Sequence, residues 1–294
     1  MELIKNRYDF VLFFDVENGN PNGDPDNNNS PRIDDRTGHG YVTDVCLKRK
    51  VRNYVDQTMK GKEGYEILIK SGAAINSRIA EKAEEIGMKK RNRKDKDADA
   101  GRDIMMEEKV REYMVQSYYD VRTFGAVMNT GEYPCGIVKG PIQISFAKSV
   151  SPIEPQEITI TRCCRTKEAD RDTGETEMGM KYFIPYGLYR AEGWISAEYG
   201  AAKTGLTEKD VELFWEALIN MFEIDHAASR GKMCARRLDV FKHDNIRGNA
   251  PSHILFDKIS VMKKDGVVYP RAFTDYDISF DEVMPEGVEH IRMI

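Results

Sequence analysis

The stretch SRGKMCARR sets Arg230, Lys232, Arg236 and Arg237 around a glycine, and TRCCRTK adds Arg162, Arg165 and Lys167. A third group, Lys48, Arg49 and Arg52, falls on one arc of a helix turning about 100° per residue. Guanidinium and ammonium groups beside backbone N–H groups suit a phosphodiester chain, whose charged oxygens only accept hydrogen bonds. Gly231 has no Cβ, so backbone there is expected to come close to a ligand. The chemistry these residues point to is polyanion binding, and the ordinary alternative is a solvated basic face.

Other chemistries fit less well. Asp24, Asp26 and Asn28 alternate as in a calcium loop, but Asn29 and Asp35 stand where an EF-hand needs Gly and Glu. Asp15, Glu17, Asp24 or Asp26 could serve a two-metal nuclease, yet no fixed-spacing metal motif accompanies them. The fragments GAAKTG and SRGKM are out of register with a phosphate-binding P-loop. Cys135 and five histidines leave a Cys–His nucleophile open, although scattered Cys and His are mostly core or surface residues. No catalytic residue, metal or cofactor is expected from these patterns.

The 294 residues allow one large domain or two small ones, and the net charge of −5 speaks at first against a nucleic-acid partner. Its distribution speaks otherwise. Residues 265–294 carry seven acidic groups against Arg271 and Arg292, so the remainder balances to zero and its positive charge is clumped. Local fields, over a Debye length of about 8–10 Å, steer a polyanion. No apolar run reaches the roughly 18 residues of a membrane helix, and MELIKNRYDF lacks a signal-peptide pattern. Five cysteines without paired spacing fit a reduced, cytoplasmic protein with no membrane partner.

The elements that position the basic clusters begin with a buried strand, YDFVLFFDV. A connection of about twenty-five residues rich in Asn, Gly, Pro and Asp follows, against an ordinary length of about 4–6. Thr43 then caps a helix expected over 44–58, with Leu47, Val51, Tyr54 and Val55 as its apolar stripe. Two further stripes, Ile75–Ile86 and Met106–Ser117, mark a helical block at 60–119, interrupted by the charged run KKRNRKDKDADAG. Strands are expected at 121–129, 140–150, 187–196, 236–243 and 253–264, and a protruding hairpin at 153–187. Thr207 and Asp210 open a helix bearing Val211, Phe214, Trp215, Leu218 and Phe222. With insertions removed, the order strand, helix, strands, helix, strand predicts one elaborated α+β domain of ferredoxin-like, β-α-β-β-α-β type, the plan of RNA-recognition modules.

The combination is more specific than any one cluster. GNPNGDPDNNNSPRIDDRTGHGYVTDVCLKRKVRNYV, FGAVMNTG, VKGPIQISFAKSVSPI and IDHAASRGKMCARRLDVFKHDNIRGNAPSHILFD together resemble the CRISPR-associated Cascade backbone family of the RAMP superfamily, most closely its type I-C subunit. The resemblance implies a palm formed by residues 1–59 and 120–264, helical fingers at 60–119, a thumb hairpin at 153–187 and an acidic segment at 265–294. It implies a structural, non-enzymatic subunit that polymerises head to tail in copies of itself along CRISPR guide RNA. Implied partners are that RNA, target DNA paired through it, other Cascade subunits and a recruited effector nuclease. The RNA-binding residues it suggests are Asn20, Arg32, Lys48, Arg49, Arg52, Lys139, Arg162, Arg165, Arg230, Lys232, Arg236 and Arg237. Some relatives in type III complexes cut target RNA with a loop aspartate, so a metal-dependent endoribonuclease using Asp24, Asp26, Asp34 or Asp35 is the alternative.

Overall fold

A computed structural model describes residues 2–88, 100–130, 132–133, 135–161 and 178–294. Strand β1 (Tyr8–Gly19) is buried along nearly all its length because both of its faces are covered. Phe10, Leu12, Phe14 and Val16 enter one core cluster, whereas Val11 and Phe13 enter another on the opposite face. That explains why its sequence runs apolar instead of alternating.

The long connection after β1 is not bare loop. It holds β2 (Gly23–Asp24) and β3 (Ser30–Pro31), which pair with each other, and then β4 (His39–Val42). Asn28 and Asn29 turn its tip with φ of 49° and 58°, the left-handed region that asparagine tolerates. Helix α1 (Asp44–Thr58) begins where expected, with the Thr43 hydroxyl accepting the Cys46 N–H.

Helices α2 (Ile75–Glu85), α3 (Ala100–Ser117) and α4 (Tyr119–Phe124) follow, then strands β5 (Gly125–Met128) and β6 (Gly136–Lys139). They share a core of their own, including Leu68, Ile79, Met114, Tyr118, Val121 and Val138. The strand expected over 121–129 is therefore helical until Phe124. The buried Arg122 guanidinium, bonded to Asp210 and to the carbonyls of Gly64, Val115 and Gln116, holds the segment against its β-branched composition. The charged run at 89–99 lies outside the described residues.

Strands β7 (Ile142–Ile144) and β8 (Ala147–Pro152) divide the strand expected at 140–150. Strands β9 (Gln156–Thr161) and β10 (Met178–Ile195) pair antiparallel from Gln156 opposite Phe183 to Thr161 opposite Met178. The segment between them, with Arg162 and Arg165, lies outside the described residues. After α5 (Ala197–Tyr199), helix α6 (Glu208–Asn220) opens on a full capping box between Thr207 and Asp210. Strand β11 (Lys232–His243) precedes α7 (Ser252–Phe256) and β12 (Ile259–Lys263), so the strand expected at 253–264 is helical through Phe256, behind Pro251, and a strand only from Ile259. Strands β13 (Tyr276–Phe280) and β14 (Val288–Arg292) complete the chain.

The central sheet runs β14-β11-β1-β10-β8-β4, and these neighbouring strands pair antiparallel. Helices α1 and α6 pack on one face, burying Leu47, Val51, Phe214 and Leu218 against Phe10 and Phe14. The other face carries α7 and the β12–β13 hairpin over Val11, Phe13 and Phe241. The acidic segment thus belongs to the fold: β13 pairs with β12, and β14 pairs along β11 from Asp239 to His243. No helix among the described residues is long and apolar enough to cross a membrane.

Candidate nucleic-acid interface

Three segments meet at the start of α1. The Asn20 N–H donates to Ser229 O at 2.8 Å, and Arg230 donates to Pro21 O at 3.2 Å. Asn22 Oδ1 accepts both the N–H and the hydroxyl of Thr43 at 3.0 Å, which ties the connection to the helix cap. Asn20 itself is buried; its amide donates to Asn29 O, and its Oδ1 has no hydrogen-bond partner among the described residues. Arg32 lies beside Asp24 at 3.4 Å.

Gly231 makes this junction possible, in a way that differs from the expected approach to a ligand. Its φ is +64°, and a Cβ there would lie 2.5 Å from the carbonyl oxygens of Glu17 and Asn18. Gly19 faces it, with a notional Cβ 1.9 Å from Arg230 O. The missing side chains let two backbone segments touch each other.

The helical arc divides by partner. Arg49 is exposed and makes no salt bridge among the described residues. Lys48 bridges Asp44 and Gln143, each at 3.0 Å. Arg52 is buried, with Nε 2.8 Å from Asp120, so of the three only Arg49 is fully exposed. Lys50, whose place in the basic run KRK does not set it apart, is buried against Asp225, and Asp225 also lies 3.6 Å from Arg230. Burial, then Arg230, lowers the Lys50 pKa, and Asp225 opposes them. Burial raises the Cys46 thiol pKa while Lys50, Arg230 and Arg49 pull it down. One carboxylate, Asp225, thus lies between two cations, Lys50 and Arg230.

The SRGKMCARR cluster splits across the sheet. A register shift between Phe13 and Phe14 leaves Arg236 as an extra residue, so Arg236 and Arg237 both face away from α1 and α6. Arg236 pairs with the buried Asp15 at 2.8 Å and lies over the Phe273 ring. Arg237 is 5% exposed and grips Asp239 through two nitrogens. Lys232, at the sheet's end, is exposed and 3.5 Å from Glu17. Lys139 lies over Tyr199 on the side of the helical block. The structure therefore brings Asn20, Arg32, Arg49 and Arg230 to one end of α1, and it holds Arg52, Arg236 and Arg237 in carboxylate pairs.

The loop carboxylates have local tasks. Asp24 accepts the Asp26 N–H and pairs with Arg32; Asp34 accepts the N–H groups of Arg36 and Thr37. Asp15 also accepts the Tyr186 hydroxyl. Among the described residues, no three His, Cys, Asp or Glu are grouped to hold a metal ion.

The sequence and the fold both have relatives. The family model of the CRISPR-associated protein Cas7 matches residues 6–281. The CRISPR-associated protein Cas7 of Haloferax volcanii is 28% identical over 239 residues, 73% of this chain and 65% of that relative, so the chain spans just under two thirds of its length. A chain of a solved structure titled CRISPR RNA-guided surveillance complex, pre-nicking, superposes with a TM-score of 0.53 at 15% identity, covering 80% of this chain and 78% of that one. Another, titled CRISPR RNA-guided surveillance complex, gives 0.51 at 15% identity over 89% and 78%. The structural likeness is one of fold, whereas the family match runs almost from end to end. This chain belongs to the family of the CRISPR-associated protein Cas7.

Proposed function

We propose that the chain is a guide-RNA-binding backbone subunit of a Cascade-type CRISPR interference complex, close to type I-C and working in the cytoplasm. The observation that carries this reading is the family match over residues 6–281. The strand order β11-β1-β10-β8, with α1 and α6 on one face, is that of a β-α-β-β-α-β domain and supports a ferredoxin-like palm. On this reading the helical block is the fingers and the β9–β10 hairpin the thumb. Arg49 and Arg230, with Lys48, Arg32 and Asn20 beside them, meet guide phosphates; Lys232, Lys139 and the hairpin's Arg162 and Arg165 extend the contact. Arg52, Arg236 and Arg237 position the elements through their carboxylates.

Copies of the chain add head to tail along the RNA, and exposed guide bases pair with target DNA. Backbone contacts hold the strand while base pairing reads sequence, the division of labour of RNA-guided recognition. The subunit itself does no chemistry, and other Cascade subunits and a recruited nuclease complete interference. The test is purification alongside a matching CRISPR RNA. A large particle dominated by nucleic-acid absorbance and holding one protected RNA of defined length is expected. A protein that stays RNA-free even with its partner subunits present would overturn the proposal.

A further inference from the structure

Tyr41, Lys148 and Arg190 lie in register on β4, β8 and β10, and Phe13 on β1 continues the row. Because Phe13 packs beneath α7 and the β12–β13 hairpin, this row lies on the sheet face turned away from α1 and Arg49. Toward β4 this face is exposed at Lys148 and half-buried at Tyr41. Between β7 and β8 the chain swells at Ser145, which exchanges bonds with Glu192 through its N–H and hydroxyl. The next residue, Phe146, is thereby turned outward and is 56% exposed. Its ring lies parallel to that of Tyr41, 5° between planes and 6.1 Å between centroids.

Beside this pair is a groove of about 380 Å³ whose polar lining is Ser145, Lys148, Ser149, Arg190 and Glu192 and whose apolar lining is Phe146, Val150 and Val261. The charges around it are unevenly satisfied. Arg190 is committed to Glu192 at 2.9 Å and to the carbonyls of Phe256 and Ile259. Lys148 is exposed and makes no salt bridge among the described residues. Its charge helps to lower the pKa of both Asp34 and His39. A protein-docking patch is a contiguous apolar area with few charges at its centre. Here one exposed aromatic face and two valines stand among two serine hydroxyls, an Arg–Glu pair and an exposed ammonium without a salt bridge among the described residues. That is the composition of a stacking platform for a nucleobase, with a cation for the neighbouring phosphate.

We propose that Phe146, stacked on Tyr41, is a platform for a base of single-stranded nucleic acid, with Lys148 meeting an adjacent phosphate. The proposal rests on the RNA-binding reading and adds to it a second contact surface on the opposite sheet face. The base comes either from the guide or from the strand the guide captures.

The test is a Phe146→Trp reporter in the RNA-containing particle, its emission compared with wild type, which has the same two native tryptophans. Extra emission that is quenched as purified, and recovers after nuclease digestion, supports the platform with the guide as its source. Emission that falls only on adding complementary single-stranded DNA, with about a tenfold weaker response in the Lys148→Ala background, supports it with the captured strand as source. Emission that ignores both while guide RNA still co-purifies overturns the platform and leaves the RNA-binding reading standing. Quenching that follows protein concentration without nucleic acid overturns it in favour of contact with a second copy. If no RNA co-purifies and added oligothymidylate leaves the emission unchanged, both readings fail.

Discussion

Arg52 Nε lies 2.8 Å from Asp120 Oδ2, inside the protein, and the same carboxylate accepts the N–H groups of Leu68 and Ile69. One pair thus joins α1 to α4 and to the segment entering the helical block. Arg52→Ala leaves Asp120 buried without its cation, which typically costs about 3–5 kcal/mol. Thermal unfolding should show a large loss of stability. An unchanged midpoint would mean that the pair is open to solvent.

Arg49→Ala should do the reverse: no loss of stability, and weaker guide binding. If Arg49 meets a phosphate, its loss lowers affinity by a similar factor for unrelated guide sequences. It also reduces the slope of log affinity against log salt by about 0.7, the value for one single-strand phosphate. Arg230→Ala should behave likewise, with some destabilisation from its lost bond to Pro21 O. Titration of two guides of unrelated sequence at several salt concentrations decides the matter. A strongly sequence-dependent loss would count against backbone contact.

Gly231→Ala forces a Cβ to within 2.5 Å of the Glu17 and Asn18 carbonyls at a φ of +64°. Backbone strain of this kind costs about 1–3 kcal/mol, and here a steric clash adds to it. We expect a lower urea midpoint and poorer RNA retention together, because the junction carries both Asn20 and Arg230. Wild-type stability in this variant would show that the two segments are free to separate.

Local signals were legible where the stabilising partners are local. Thr43 and the Leu47–Val51–Tyr54–Val55 stripe announce α1, and Thr207 with Asp210 announces α6. Nothing near Arg52 distinguishes it from Arg49, because its partner Asp120 is 68 residues away. Strand alternation would set Arg236 and Arg237 on opposite faces; the register shift beside Phe13 and Phe14 sets both on one. Val121 and Thr123 favour strand, but the buried pair of Arg122 with Asp210 fixes a helix. The Tyr41–Phe146 pair is not legible in the sequence because each ring sits in an ordinary strand pattern, and only the pairing of β4 with β8 brings them together.

His39 supplies a pH dependence. Burial holds its imidazole below the ordinary value of about 6.5, Lys148 lowers it further, and Asp34 opposes them. The unfolded chain therefore binds the proton more readily than the folded one. This contribution to stability is present above about pH 6.5 and is lost as pH falls through the lower, folded-state value. Urea midpoints measured across this range should decline less in His39→Gln than in wild type. Parallel curves would show that His39 titrates normally.

The loop aspartates give the sharpest contrast between a backbone subunit and a ribonuclease. A metal-dependent cut needs carboxylates that converge on an ion with a scissile phosphate between them. Asp24 is instead engaged by Arg32 and the Asp26 N–H, and Asp34 by the turn at Arg36 and Thr37, while Asp26 and Asp35 point to solvent from separate turns. Labelled target RNA incubated with the guide-loaded protein and Mg²⁺ should therefore stay intact. Asp24→Ala and Asp26→Ala should match wild type in this assay, although Asp24→Ala releases Arg32 and so tightens or loosens RNA binding without creating cleavage. Fragments at regular intervals that vanish in either variant would make the chain an enzyme, and would require the Asp24–Arg32 pair to open when RNA binds.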